Sequence, residues 1–236
     1  MTKMVTNGGN TPQIGSGPGP TPMKVGTESY YRDRAADYTR RTGRKPPTYY
    51  LNYGNKYLNR FKHETYFTLS GDGQKWLEKT LFNLQQAIED RLLLTADGAT
   101  IEGNDDKFTT FAFSSHVPAY EDNNGTGVLT LSVMDKVRIG LTPDAADLFS
   151  DLGLKQVSQI ASDQVNYYEH HWLFFISQGI EAFTHKGEIN KLIDDYLLEN
   201  QGFFNKMMKQ NPQEWSNPKY KVMGIVRDIL NPTFIL

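Results

Sequence analysis

The chain has 236 residues, 25 Lys and Arg against 27 Asp and Glu, 38% hydrophobic and 12% aromatic residues, and no cysteine. That length buries a core without staples, and a chain without cysteine has no thiol nucleophile, thiolate metal site or disulfide framework. The N-terminus lacks the continuous apolar core of a secretion signal and no stretch reaches the ~18 apolar residues of a membrane span, so cytoplasmic synthesis is expected, and release from the cell, as part of a particle, would need another route.

Residues 1–27 carry Gly8, Gly9, Gly15, Gly17, Gly19 and Gly26 with Pro12, Pro18, Pro20 and Pro22. Such a composition predicts an extended flexible tail, pinned if at all by a partner subunit. A short amphipathic helix is expected over 28–41, stopped by Gly43 and Pro46-Pro47. In a second one Tyr50, Tyr53, Tyr57 and Phe61 share a face with Leu58, although Gly54 weakens it. Ser70 then reads as an N-cap for the strongest helix of the chain, whose stripe is Leu77, Leu81, Leu84, Ile88 and Leu92.

Residues 95–106 read as a polar loop, and Phe108, Phe111 and Phe113 as a short helix ending before Pro118. A polar break follows over 121–127, where Asn124-Gly125-Thr126 has turn chemistry. Residues 132–139 form another short helix, and Thr142-Pro143-Asp144 begins the next, with Thr142 at the cap. A long helix over 154–183, broken at Gly179, and one over 187–199 complete the regular part. Residues 201–236, punctuated by Pro212, Pro218 and Pro232, read as an extended C-terminal docking segment ending in Phe234-Ile235-Leu236. The expected fold is mainly α: an irregular multi-helix globular domain, residues 28–236, behind the Gly/Pro-rich tail.

Charge is unevenly distributed. Residues 31–63 hold nine Lys/Arg and two Asp/Glu, whereas 64–151 hold six and fifteen. Within the basic stretch Arg32, Arg34, Arg40, Arg41, Arg44 and Lys45 alternate with tyrosines that include Tyr49 and Tyr50, a mixture suited to an acidic protein partner such as residues 64–151 of a sister copy. Nucleic-acid binding through 31–62 is the weaker alternative, because the neighbouring acidic stretch repels a polyanion.

Catalytic signatures are sparse. His116, His170 or His171, and the i,i+4 pair Glu181 and His185 offer imidazole and carboxylate groups for a hydrolase, but no H-E-x-x-H spacing joins them and no metal or cofactor is called for. Ser114-Ser115-His116 has no nucleophile elbow, and the adjacent carboxylates Glu121-Asp122 and Asp194-Asp195 point apart on a helix. Gly71-Asp72-Gly73-Gln74-Lys75 lacks phosphate-loop spacing, and Pro46-Pro47-Thr48-Tyr49 serves as a linker.

Two blocks carry a resemblance. Tyr53-Gly54-Asn55-Lys56-Tyr57 with Arg60-Phe61, Leu69-Ser70, Gly73-Gln74, Trp76 and Leu84-Gln85-Gln86-Ala87-Ile88-Glu89 form the first; Phe113 to Tyr120 with Ile139 to Asp144 form the second. Together they resemble a family of bacterial proteins associated with phage-tail-like contractile injection systems. The family's motifs carry no assigned chemistry, so the resemblance implies a setting, a large particle assembled in the cytoplasm. The chain is then expected to be a structural or accessory subunit binding other protein subunits, copies of itself among them; the alternative is a payload hydrolase built on the histidines.

Overall fold

The computed structural model describes residues 19–121 and 127–230. Among them every regular element is helical. The expected turn at Asn124-Gly125-Thr126, the terminal Phe234-Ile235-Leu236 and tail residues 1–18 lie outside the described residues.

α1 (Tyr30–Thr42) ends where Gly43 adopts a left-handed φ of 67° and returns its N–H to the Thr39 carbonyl, a conformation that costs glycine least. The tyrosine-rich stretch after it is one winding run: wide π turns over Tyr49–Asn55 and Phe61–Thr65 flank α2 (Lys56–Arg60), and a 3-10 turn closes it over Tyr66–Thr68. Gly54 belongs here because a Cβ at that position would lie 2.5 Å from the Tyr31 ring, so the glycine that weakens the helix is what lets α1 approach it.

α3 (Gly71–Leu94) is the central helix. The Ser70 hydroxyl accepts from the Gly73 N–H, as its cap position demands, and Leu77, Leu81, Leu84, Ile88 and Leu92 all point into the core. Each such side chain contributes about 1.5–3 kcal/mol by leaving water. α4 (Gly98–Glu102) occupies what reads in sequence as loop; α5 (Asp105–Ser114) follows, and α6 (His116–Glu121) takes Pro118 into its first turn, where no N–H is needed. α7 (Val133–Gly140) is tied to the start of α3 by the buried Asp135, which accepts from the Ser70 N–H at 2.8 Å and hydroxyl at 2.5 Å.

The next helix begins two residues later than expected. Asp144, not Thr142, caps α8 (Ala145–Leu148) by accepting from the Asp147 N–H, while the Thr142 hydroxyl turns back to the Arg138 carbonyl. The expected long helix is two, α9 (Asp151–His170) and α10 (Trp172–Thr184), and the break is at His171 rather than Gly179. α11 (Lys186–Glu199) agrees with its pattern. The C-terminal stretch is not extended: α12 (Gln201–Gln210) and α13 (Pro218–Leu230) occupy most of 201–230, with Phe204, Trp215, Val222, Ile225, Val226 and Ile229 buried. Pro218 stands first in α13, the one helical position where proline is favoured, so punctuation that reads as a break is a beginning.

Two apolar clusters result. The first gathers α1, the tyrosine run, α3, α5 and the 3-10 turn Gly127–Thr130; the second gathers α8, α11, α12 and α13; α7 contributes to both.

Candidate functional site: an internal charge network and an outward apolar helix

The basic stretch meets the acidic one inside a single chain. Arg34, wholly buried on α1, donates Nε to Glu89 Oε1 at 2.6 Å, and its second terminal nitrogen reaches the same oxygen. Glu89 also accepts from the Tyr30 hydroxyl at 2.8 Å. Arg41 bridges Asp37 at 2.6 Å and Glu102 of α4 at 2.7 Å, and Glu102 takes the Tyr50 hydroxyl at 2.8 Å. Lys56 lies between Asp144 at 2.5 Å and Asp147 at 2.9 Å, where Asp147 also receives the Tyr57 hydroxyl. Burial works against the charge on Arg34 and the bonds to Glu89 outweigh it, leaving its pKa above the usual guanidinium value.

This corrects half of the expected partner surface. Arg34, Arg41, Tyr49 and Tyr50 are interior residues whose polar atoms are matched within the chain. The physical reason is that a cation among tyrosines suits a buried carboxylate as well as it suits a partner, and composition does not distinguish the two. Arg32, Arg40, Arg44 and Lys45 are exposed; Arg32 donates to Asn55, and Arg40 to Asp37 and the Thr21 hydroxyl.

The described part of the tail is likewise held by the chain itself. Met23 N–H donates to Glu89 at 2.9 Å, Gly26 N–H to Gln85 at 2.6 Å, the Gln85 amide returns to the Thr27 carbonyl at 3.0 Å, and Arg34 donates to the Thr21 carbonyl at 2.8 Å. Residues 19–27 are therefore a strap across α1 and α3, and no partner subunit is needed to pin them.

The four histidine-centred candidates part company. His116 is buried against the tyrosine run, stacked on Phe113 with centroids 5.1 Å apart. The Gln156 amide nitrogen donates to its Nδ1 at 2.9 Å and to the Phe113 carbonyl, which orients that amide; Nε2 must then carry the proton and donate to the Tyr49 hydroxyl oxygen at 2.9 Å. Burial lowers the His116 pKa to about 4, so the ring is neutral and structural at ordinary pH. His170 is exposed and bonds back to the Asn166 carbonyl, His171 lies flat on Tyr167, Glu181 accepts from Gln178, and His185 faces Glu188 at 3.5 Å. Among the described residues no group of His, Asp and Glu is placed to hold a metal ion.

The feature that composition hides is α10. Its buried residues are Gln178 and Ala182, while Trp172, Leu173, Ile176, Ile180 and Phe183 are 47–81% exposed. The inner face thus holds Gln178 and Ala182 with Phe174 and Phe175 half-buried beside them, and α7 supplies the reason an amide is among them. Lys136, almost wholly buried, donates to Gln178 Oε1 at 2.9 Å and lies over the rings of Tyr168 and Phe174 at 5.7 and 5.5 Å. Burial lowers its pKa to about 7, opposed in part by Glu181. A buried amine with no carboxylate in contact among the described residues needs neutral oxygen acceptors, and Lys136 finds them in Gln178 and, at 3.5 Å, the Tyr168 hydroxyl, which holds Gln178 on the inner face of α10 while Trp172, Ile176, Ile180 and Phe183 lie toward solvent. The signal available in sequence was a lone glutamine opposite a run of Trp, Leu and Ile.

No protein-family model matches the chain, and no curated protein or solved structure matches it either. No described helix is long and apolar enough to cross a membrane.

Proposed function

We propose that the chain is a structural or accessory subunit that binds other proteins within a larger bacterial assembly, with α10 as the binding face. What supports this is the outward stripe of Trp172, Ile176, Ile180 and Phe183 on a helix whose orientation is fixed from beneath by Lys136 and Gln178. A rimmed apolar patch on a rigid element is the form that protein-binding sites take. The particular assembly, a phage-tail-like contractile injection system, rests on the resemblance of residues 53–144 alone. Nucleic-acid binding through 31–62 has less to draw on than the sequence promises, because Arg34, Arg41 and Lys56 face internal carboxylates.

The test is co-sedimentation of the tagged full chain with injection particles purified from its own cells, beside the same chain carrying Phe183→Ser. The parent is expected to pellet with the particles and the variant to stay in the supernatant. A parent that never pellets overturns the setting, and a variant that pellets as well as the parent removes α10 from the binding face.

A further inference from the structure

We infer that α10 pairs with α10 of a second copy of this chain, antiparallel across a two-fold axis that crosses the outward stripe between Ile176 and Ile180. The inference rests on the protein-binding role of α10 and adds the identity of the occupant. On a helix with 100° per residue, Trp172, Ile176, Ile180 and Phe183 fall within an 80° arc, and Gly179 lies about 20° outside it, toward the buried Ala182. Their order is close to a palindrome. Rotating the helix about a point near residue 178 exchanges Trp172 with Phe183 and Ile176 with Ile180, so bulky rings flank smaller aliphatics at both ends. An isologous two-fold contact asks for that self-complementarity, since each residue must face its symmetry counterpart. Antiparallel pairing also sets the two helix dipoles side by side in opposite directions, the favourable arrangement.

The area is sufficient. Five side chains of this size, 47–81% exposed, present roughly 600 Å² per copy, or about 1,200 Å² in the pair, which reaches the lower bound of stable interfaces. The charge pattern selects protein over lipid: α10 contains no Lys or Arg and one carboxylate, Glu181, whereas a helix lying in a bilayer surface carries a basic flank.

The absence of native cysteine makes the geometry directly readable. Under mild oxidation the full chain with Trp172→Cys and Phe183→Cys together is expected to give a disulfide-linked dimer, while each single variant gives little, because like positions sit at opposite ends of the pair. Sedimentation of the cysteine-free parent should give twice the 26.9 kDa chain mass, and Ile180→Glu, at an exposed position, should return it to one chain mass with unchanged circular dichroism. A parent that stays monomeric across a hundredfold concentration range overturns the inference, as does a dimer that survives Ile180→Glu. Efficient crosslinking of either single variant overturns the antiparallel arrangement. Two further controls decide between occupants: monomer that floats with phosphatidylcholine and phosphatidylglycerol vesicles, or monomer that dimerises only after removal of residues 231–236, assigns the stripe to lipid or to the chain's own terminus. Failure here leaves the assembly role standing if the parent still pellets with particles, and a dimer that never pellets removes the assembly setting alone.

Discussion

Along α3 the stripe of Leu77, Leu81, Leu84, Ile88 and Leu92 faces inward with the carboxylate of Glu89 buried beside it, whereas along α10 the buried residues are an amide and an alanine and Trp172, Leu173, Ile176, Ile180 and Phe183 face out. Both helices are amphipathic, and periodicity alone describes them equally well. What separates them is the neighbour. α3 packs on Tyr30, Tyr31 and Leu58, which reward apolar contact; α10 packs over Lys136, which requires an oxygen. An amphipathic pattern fixes that a helix has two faces, and the polar content of the opposing element decides which one is buried.

The sharpest way to break the α3 side of this comparison is Glu89→Ala. It takes the acceptor from the Tyr30 hydroxyl, the Met23 N–H and the Arg34 Nε, leaving the buried guanidinium to the Thr21 carbonyl and Asp37 at 3.6 Å, and removing one partner of a buried pair costs about 3–5 kcal/mol. Urea unfolding should show that loss; a change below about 1 kcal/mol would mean that the network is dispensable.

Acid probes the same core at His116. Its pKa in the fold, about 4, lies below the ordinary 6.5, so the unfolded chain binds the extra proton first and stability declines as pH falls from about 6.5 to about 4. Over that window the loss reaches about 3 kcal/mol and then levels off. Comparing the parent with His116→Gln isolates it: the difference between the two should narrow on acidification, and a constant difference contradicts a neutral buried ring.

The smallest effect sharpens the contrast between the helices. Ile88→Ala in α3 should cost about 2–5 kcal/mol, and Ile180→Ala in α10 should stay within about 0.5 kcal/mol when unfolding is followed at dilution low enough to keep the chain monomeric. Equal losses would place Ile180 in a core.

How much of this was legible follows from the range of each interaction. The cap of Ser70, its stripe and the all-helical class are set by residues within a turn or two of one another, and they were readable. α12 and α13 were hidden because Pro218 reads as a stop although its place at the first helical position makes it a start. The sign of the charge imbalance was readable, but its destination was not, since Arg34 and Glu89 are 55 residues apart. His116 illustrates the same limit: a polar run in sequence becomes a buried ring once Gln156, 40 residues on, supplies its donor. The outward face of α10 depended on Lys136, 42 residues before Gln178.

The strap of residues 19–27 also imposes an order in time. Met23 leaves the ribosome 66 residues before the carboxylate that receives its N–H, an interval of roughly 3–13 seconds at ~5–20 residues per second. For the last 55 residues of that interval Arg34 has been synthesised and Glu89 has not. Lys56 waits longer still, for an aspartate 91 residues downstream. These segments are therefore anchored only after much later ones are made, and a slow stretch of codons before residue 89 would lengthen the exposure of the basic, tyrosine-rich stretch to whatever else is present during synthesis.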